Sequence, residues 1–166
     1  MNADQYFIRS EFRPALTPPE MLSLGVFGVY YFGEPIPDEY PQAWRDVAIQ
    51  ADKHSPELNA FKVHSGMSLE VWQKKGWIHE DDPCGWFQWY CRYYMGRRHE
   101  DDYRQIKRWV GYKRHRSMLL RNSRGNPAKG IVHRQSLLHR AYDPFPAPRT
   151  KIGESVAEKV KRILEQ

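Results

Sequence analysis

Between Arg92 and Arg121 the chain carries ten basic side chains: Arg92, Arg97, Arg98, Arg104, Lys107, Arg108, Lys113, Arg114, Arg116 and Arg121. Most are arginine, whose flat guanidinium fork matches a phosphate or carboxylate two bonds at a time. Lys107, Arg114 and Arg121 recur every seven residues, which keeps them along one side of a helix. Arg104 and Arg108 stand one turn apart, and Arg97 can join them from the preceding bend. A stripe of this kind can track a phosphate backbone. The side chains expected to hold phosphates are Arg92, Arg97, Arg98, Arg104, Lys107, Arg108, Arg114 and Arg121. The competing expectation is a solvated basic face whose charges are partly paired inside the molecule. Glu100, Asp101 and Asp102 are available for such pairs, but three acids cannot neutralise ten bases.

Just before this series lies CGWFQWYCRYY, residues 84–94, with Trp86, Phe87, Trp89, Tyr90, Tyr93 and Tyr94 in one helical span. A helix that is apolar nearly all round is usually buried, so core is the first expectation. The functional alternative is that Trp89 or Tyr93 reaches a cleft and stacks on a base, which any base can satisfy. Arg92 is the odd member, because a guanidinium there must reach solvent, an acid or a phosphate.

The sequence HEDD occurs twice, at 79–82 and 99–102, on either side of the aromatic span. Acids at helix starts cap N–H groups and meet the helix dipole, which is the plain account. The alternative is that both runs meet in space to bind a divalent ion or move protons. The seven histidines form no HExxH pair and no Cys/His zinc spacing, so no metal site is assigned. No phosphate-binding glycine loop, nucleophile elbow or dinucleotide fingerprint occurs, so no cofactor and no catalytic residue is assigned. Cys84 and Cys91 stand seven apart, about 10 Å along a helix, too far to bridge each other. They read as free thiols of a reducing compartment.

The elements that must position these groups are helical. Thr17, Pro18 and Glu20 mark a helix start near 17, with a stop near Gly25. Trp44, Val47, Ala48 and Ala51 define one apolar face over 41–54. Leu69 and Trp72 share helical spacing before Gly76. Asp82-Pro83 predicts a helix over about 83–95, stopped by Gly96. Acids at 100–102 open a second, basic helix that can reach Asn122, with Tyr103, Ile106, Trp109, Val110 and Leu120 on its apolar side. A turn-rich loop covers 123–130, a helix 131–143, and Ser155 with Glu158 boxes the start of a last helix. The expected architecture is mostly α: one compact helical domain with proline-rich loops and a C-terminal helix. Its parts are an extended segment 1–16, a helical core 17–143, a proline-rich linker 144–153 and the helix 154–166.

Charge follows the same division. Residues 1–75 carry seven basic and ten acidic side chains, whereas 76–166 carry nineteen and ten. A concentrated positive field of this kind seeks phosphate in nucleic acid, nucleotide or lipid. The apolar run GVFGVYYFG at 25–33 is far too short to span a membrane, so no membrane partner is expected and an intracellular location, cytoplasmic or nuclear, follows.

The stretches GWIHEDDPCGWFQWYCRYYMGRR, RQIKRW and RQSLLHRAYD resemble a family of small tryptophan- and arginine-rich proteins with no activity attached to it. The resemblance spans about 20–143 and implies a shared domain. It brings no site residues, and the family pattern has a charged residue where Cys84 stands, which argues against Cys84 as a nucleophile. Three functions are therefore carried forward. The first is a largely sequence-tolerant nucleic-acid-binding protein using the basic helix. The second is an enzyme on a phosphorylated or nucleotide-like molecule, in a pocket between the aromatic and basic helices. The third is a protein-interaction subunit.

Overall fold

The computed structural model describes residues 9–28, 31–32, 36–49, 55–145 and 150–166. After a helical stretch at 9–11, eight helices follow in order among the described residues: α1 Pro18–Ser23, α2 Gln42–Val47, α3 Leu69–Lys74, α4 Trp86–Tyr94, α5 Asp102–Gly111, α6 Lys113–Ser123, α7 Ile131–Leu138 and α8 Val156–Leu164. A short 3-10 turn covers Pro56–Leu58. No strand occurs among the described residues, and the chain is a mostly helical single domain.

Helix α4 is the hub because its aromatic residues point in every direction and need cover all round. Trp86, Phe87, Gln88, Trp89, Tyr90 and Cys91 are consecutive and all buried. Phe12 closes over it, with edge-on ring contacts at 5.4 Å to Trp89 and Tyr93 and 5.5 Å to Tyr90. The same ring meets Trp109 of α5 at 4.9 Å, so one residue ties two helices together. Trp109 in turn stacks on Tyr142 at 4.6 Å. Aromatic pairs of this kind add about 0.5–1.5 kcal/mol each beyond area burial.

Several polar groups inside the core find partners on distant parts of the chain. Gln135 of α7 donates to Val26 O at 2.7 Å and accepts from Phe61 N–H at 3.0 Å. Tyr90 donates to Leu16 O at 2.7 Å, and Tyr142 to Trp109 O at 2.6 Å. The buried ammonium of Lys159 donates to Asp143 and to Phe145 O, both at 2.5 Å. Together with buried Ala157 and Val160, this seats α8 on the common core.

The expected caps of α1 and α8 form. Glu20 accepts from Thr17 N–H at 2.7 Å, and Ser155 with Glu158 makes a reciprocal box. Other boundaries shift. Helix α4 starts at Trp86 rather than 83, because the Asp82 carboxylate is drawn to arginines instead of capping. Gly85 takes the cap position at φ +94, where an added Cβ would meet Ile78 and the Tyr31 hydroxyl at 3.3 and 3.4 Å. The basic helix is two helices, α5 and α6, parted at Tyr112. In α2, Trp44 is buried but Val47 is 45% exposed, so the expected apolar face is not used as a whole. Ala51 and residues 146–149 of the proline-rich stretch lie outside the described residues. No helix among the described residues is long and apolar enough to cross a membrane.

Gly25 ends α1 at φ +59, and a Cβ there would sit 2.9 Å from Leu58 O and 3.0 Å from Ile49. A side chain in this left-handed region costs about 1–3 kcal/mol, and the backbone oxygen cannot yield cheaply. Gly25→Ala is expected to destabilise the fold by about 2 kcal/mol or more in urea unfolding. A midpoint unchanged from the parent protein would contradict this.

Candidate functional site

The two HEDD runs fold into the same turn twice. In each, the histidine carbonyl accepts from the N–H of the last aspartate: Asp82 to His79 at 3.1 Å and Asp102 to His99 at 3.2 Å. In each, the histidine Nδ1 accepts from the N–H two residues on, at 3.2 Å, from Asp81 and from Asp101. The turns then meet. The two imidazoles pack edge-on at 5.0 Å, and His99 Nε2 lies 2.9 Å from Asp81 Oδ2. His79 Nε2 faces Glu100 at 4.0 Å.

His79, Asp81 and His99 thus bring three potential ligand atoms within 4.8 Å, a donor set that could hold a divalent ion. The hydrogen bonds argue for a different use. A Nδ1 that accepts a backbone N–H leaves the proton of a neutral ring on Nε2. His99 Nε2 is then a donor to Asp81 rather than a free lone pair. Metal binding there would cost the bond from Asp101 N–H. The cluster reads as a clasp between the two turns.

The last acids of the turns are buried anion centres. Asp82 accepts from Arg92 at 2.9 Å and Arg97 at 2.5 Å. Arg92 also forks onto Glu39, at 2.9 and 2.8 Å, and donates to Asp81 O. Its hydrogen bonds to the Glu39 carboxylate, against the opposing cost of burial, raise its pKa above the ordinary arginine value. Asp102 accepts from Arg9 at 2.9 Å, Trp89 Nε1 at 3.0 Å and His99 N–H at 3.1 Å. Asp101 holds Arg104 at 2.5 and 2.7 Å and Gln105 at 2.9 Å. Burial pushes the Asp101 carboxyl up, but the Arg104 bonds and charge outweigh it and leave it lowered.

This arrangement sorts the expected phosphate contacts. Arg92, Arg97 and Arg104 face internal carboxylates, so they are structural ion-pair partners rather than free contacts. Arg98 is exposed and lies 4.0 Å over the Tyr93 ring, donating to Tyr93 O and Arg97 O. Lys107, Arg114 and Arg121 are exposed and have no ion-pair partner among the described residues. Arg108 is half-buried between Trp72 and Trp77, at 5.4 and 5.6 Å. The expected stacking residues fail for a clear reason. Trp89 is fully buried with its N–H on Asp102, and Tyr93 is taken up by Phe12, Trp89 and Arg98. The open indoles are Trp72 and Trp77, half-buried and edge-on at 5.4 Å. Their signal in the sequence was the pair of tryptophans bracketing QKKG, which ends a short helix at the surface.

The longest basic surface follows. From Tyr103 to Tyr142 the chain contains no acidic residue at all. Helix α6 buries only Leu119 and Ser123 and leaves Lys113, Arg114, His115 and Arg121 exposed. Lys113 makes one long ion-pair contact, 3.5 Å to the half-buried Glu11, and lies 5.9 Å from the Trp109 ring.

Burial holds both thiols and one histidine in their neutral forms. Burial pushes both Cys84 and Cys91 above the usual thiol range, so neither is a ready nucleophile. Burial, reinforced by the Arg140 charge, pushes His139 down to about 4. No protein-family model matches the chain, and neither a curated protein nor a solved structure matches it.

Proposed function

We propose that this protein binds nucleic acid through phosphate contacts from the exposed cations of α5 and α6: Lys107, Lys113, Arg114, Arg121 and the adjoining Arg124. One observation carries the reading. Forty residues without a carboxylate include a nearly uncovered helix, and Lys107, Arg114, Arg121 and Arg124 have no ion-pair partner among the described residues. Elsewhere Arg9, Arg45, Arg92, Arg97, Arg104 and Arg162 are each paired with an acid. Such a surface holds a polyanion by charge and releases counterions, and it carries no base code. Recognition is therefore largely sequence-tolerant.

Labelled duplex and single-stranded oligonucleotides, followed by fluorescence anisotropy between about 50 and 200 mM salt, test this. Affinity is expected to fall steeply with salt. Arg114→Gln combined with Arg121→Gln should lower the log–log slope by about 2 on duplex DNA, since each phosphate contact contributes about 0.9. Binding that ignores salt, or a double variant indistinguishable from the parent, would refute the proposal.

A further inference from the structure

Ten described arginines are at least partly withdrawn from solvent, and eight of them have a carboxylate or carbonyl partner. Arg108 and Arg140 are the exceptions. Neither guanidinium has a hydrogen bond or an ion pair among the described residues, although the Asp101 charge, itself held by Arg104, acts on Arg108, and both lie against the same ring, Trp72, at 5.4 and 4.8 Å. Arg140 is further walled by Trp86 at 5.4 Å and Tyr112 at 6.0 Å, and Arg108 by Trp77 at 5.6 Å. Arg104, whose charge acts on Arg108, is held by Asp101 and by Trp77 O at 3.2 Å. Burial first, and then the charge of Arg108, brings Arg140 down to about 10; burial first, and then Arg104, also lowers Arg108.

Two like charges gathered in a partly dry site repel each other and lose hydration. Indole faces relieve some of this through cation–π contact. They offer no acceptors, however, to the five N–H donors of each guanidinium. The buried indole N–H of Trp86, under Arg140, likewise has no hydrogen-bond partner among the described residues. Unused donors around two unpaired cations are the complement of an oxyanion. Two guanidinium forks suit a phosphate dianion better than a single carboxylate. Beside them the half-exposed Trp72 and Trp77, the latter with Lys75 at 4.5 Å, offer flat π surfaces. A flat ring carried next to a phosphate is what a nucleotide presents.

We propose that Arg108 and Arg140, with Trp72 and Trp77, form a binding site for a single nucleotide unit, the guanidiniums taking its phosphate and an indole stacking on its base. The site deepens the nucleic-acid reading but uses different residues from the α6 face, so the two can fail separately.

The test is a titration of the full chain with adenosine monophosphate, adenosine and inorganic phosphate, read from the indole N–H resonances of the six tryptophans. The monophosphate should shift Trp72 and Trp77 saturably and bind at least tenfold more tightly than adenosine or phosphate. Arg140→Gln and Arg108→Gln should each weaken it about tenfold. Should Arg140→Gln not fold, Arg108→Lys keeps the charge and removes the fork, and is expected to weaken binding about fivefold. Absence of a saturable shift, or variants that bind like the parent, would overturn the site. Phosphate binding as tightly as the nucleotide would overturn the nucleotide assignment. Loss of mononucleotide binding in a protein that still shows salt-dependent polymer binding overturns this site and leaves the earlier reading standing.

Discussion

Asp82→Ala is expected to destabilise the protein by about 3 kcal/mol, the cost typical of removing one partner from a buried ion pair. Asp82 is fully buried, and two guanidiniums converge on it. Arg92 would keep Glu39, but Arg97 has no other acid among the described residues, and its Nε already lacks a hydrogen-bond partner. The loss therefore falls mainly on Arg97 and on the bend between α4 and α5. Asp81→Ala is the control: Asp81 is exposed, and breaking its bond to His99 should cost well under 1 kcal/mol. Urea unfolding of the two variants measures the contrast. Equal destabilisation by both, or an Asp82 variant within about 0.5 kcal/mol of the parent, would show that the buried pair does not hold the junction.

Acid is expected to destabilise the fold by about 3 kcal/mol between pH 6.5 and 4 through His139 alone, at about 1.4 kcal/mol per pH unit. The ring stacks on Phe27 at 5.1 Å, and its Nε2 lies 3.1 Å from Val26 O and from the Gln135 amide. The groups facing it that bear charge or titrate are Arg140 and His64, and both oppose protonation. Burial is the largest cause and acts in the same direction. In the unfolded chain the ring takes up a proton near its ordinary value of 6.5; in the folded chain it does so only near 4. The unfolded state therefore binds more protons between those values. The stabilisation is complete above pH 6.5 and is lost as pH falls through 4. His139→Gln should flatten this limb when urea stability is followed from pH 7.5 to 4.5. A parent and variant that lose stability in parallel would exclude His139 as its source.

Much of the architecture was legible because it rests on local rules. The caps of α1 and α8 need only a side chain and the backbone three residues away, and both formed as read. The density of aromatic residues in CGWFQWYCRYY demanded burial, and Trp86–Cys91 of α4 became the hub while Tyr94 at its end stayed half exposed. Boundaries failed where a distant partner competed with a local one. Asp82 could cap a helix or receive two arginines, and only the fold brought those arginines to it.

The candidate site divides along the same line. Composition alone determined that the second half of the chain is basic and that forty consecutive residues carry no acid. The order of residues also set an HEDD run on either side of the aromatic helix, but that the runs fold into paired turns came from the fold. Which cations remain free could not be read, because an ion pair is a distance across the fold and not a spacing along the chain. Arg92, Arg97 and Arg104 look no different in sequence from Arg108 and Arg140. Tertiary structure gave the first three carboxylates and left the last two among tryptophan rings without one. The aromatic residues exchanged roles for the same reason. Trp89 lies at the centre of the packed layers and Trp72 at their edge, and burial is decided by what packs on top.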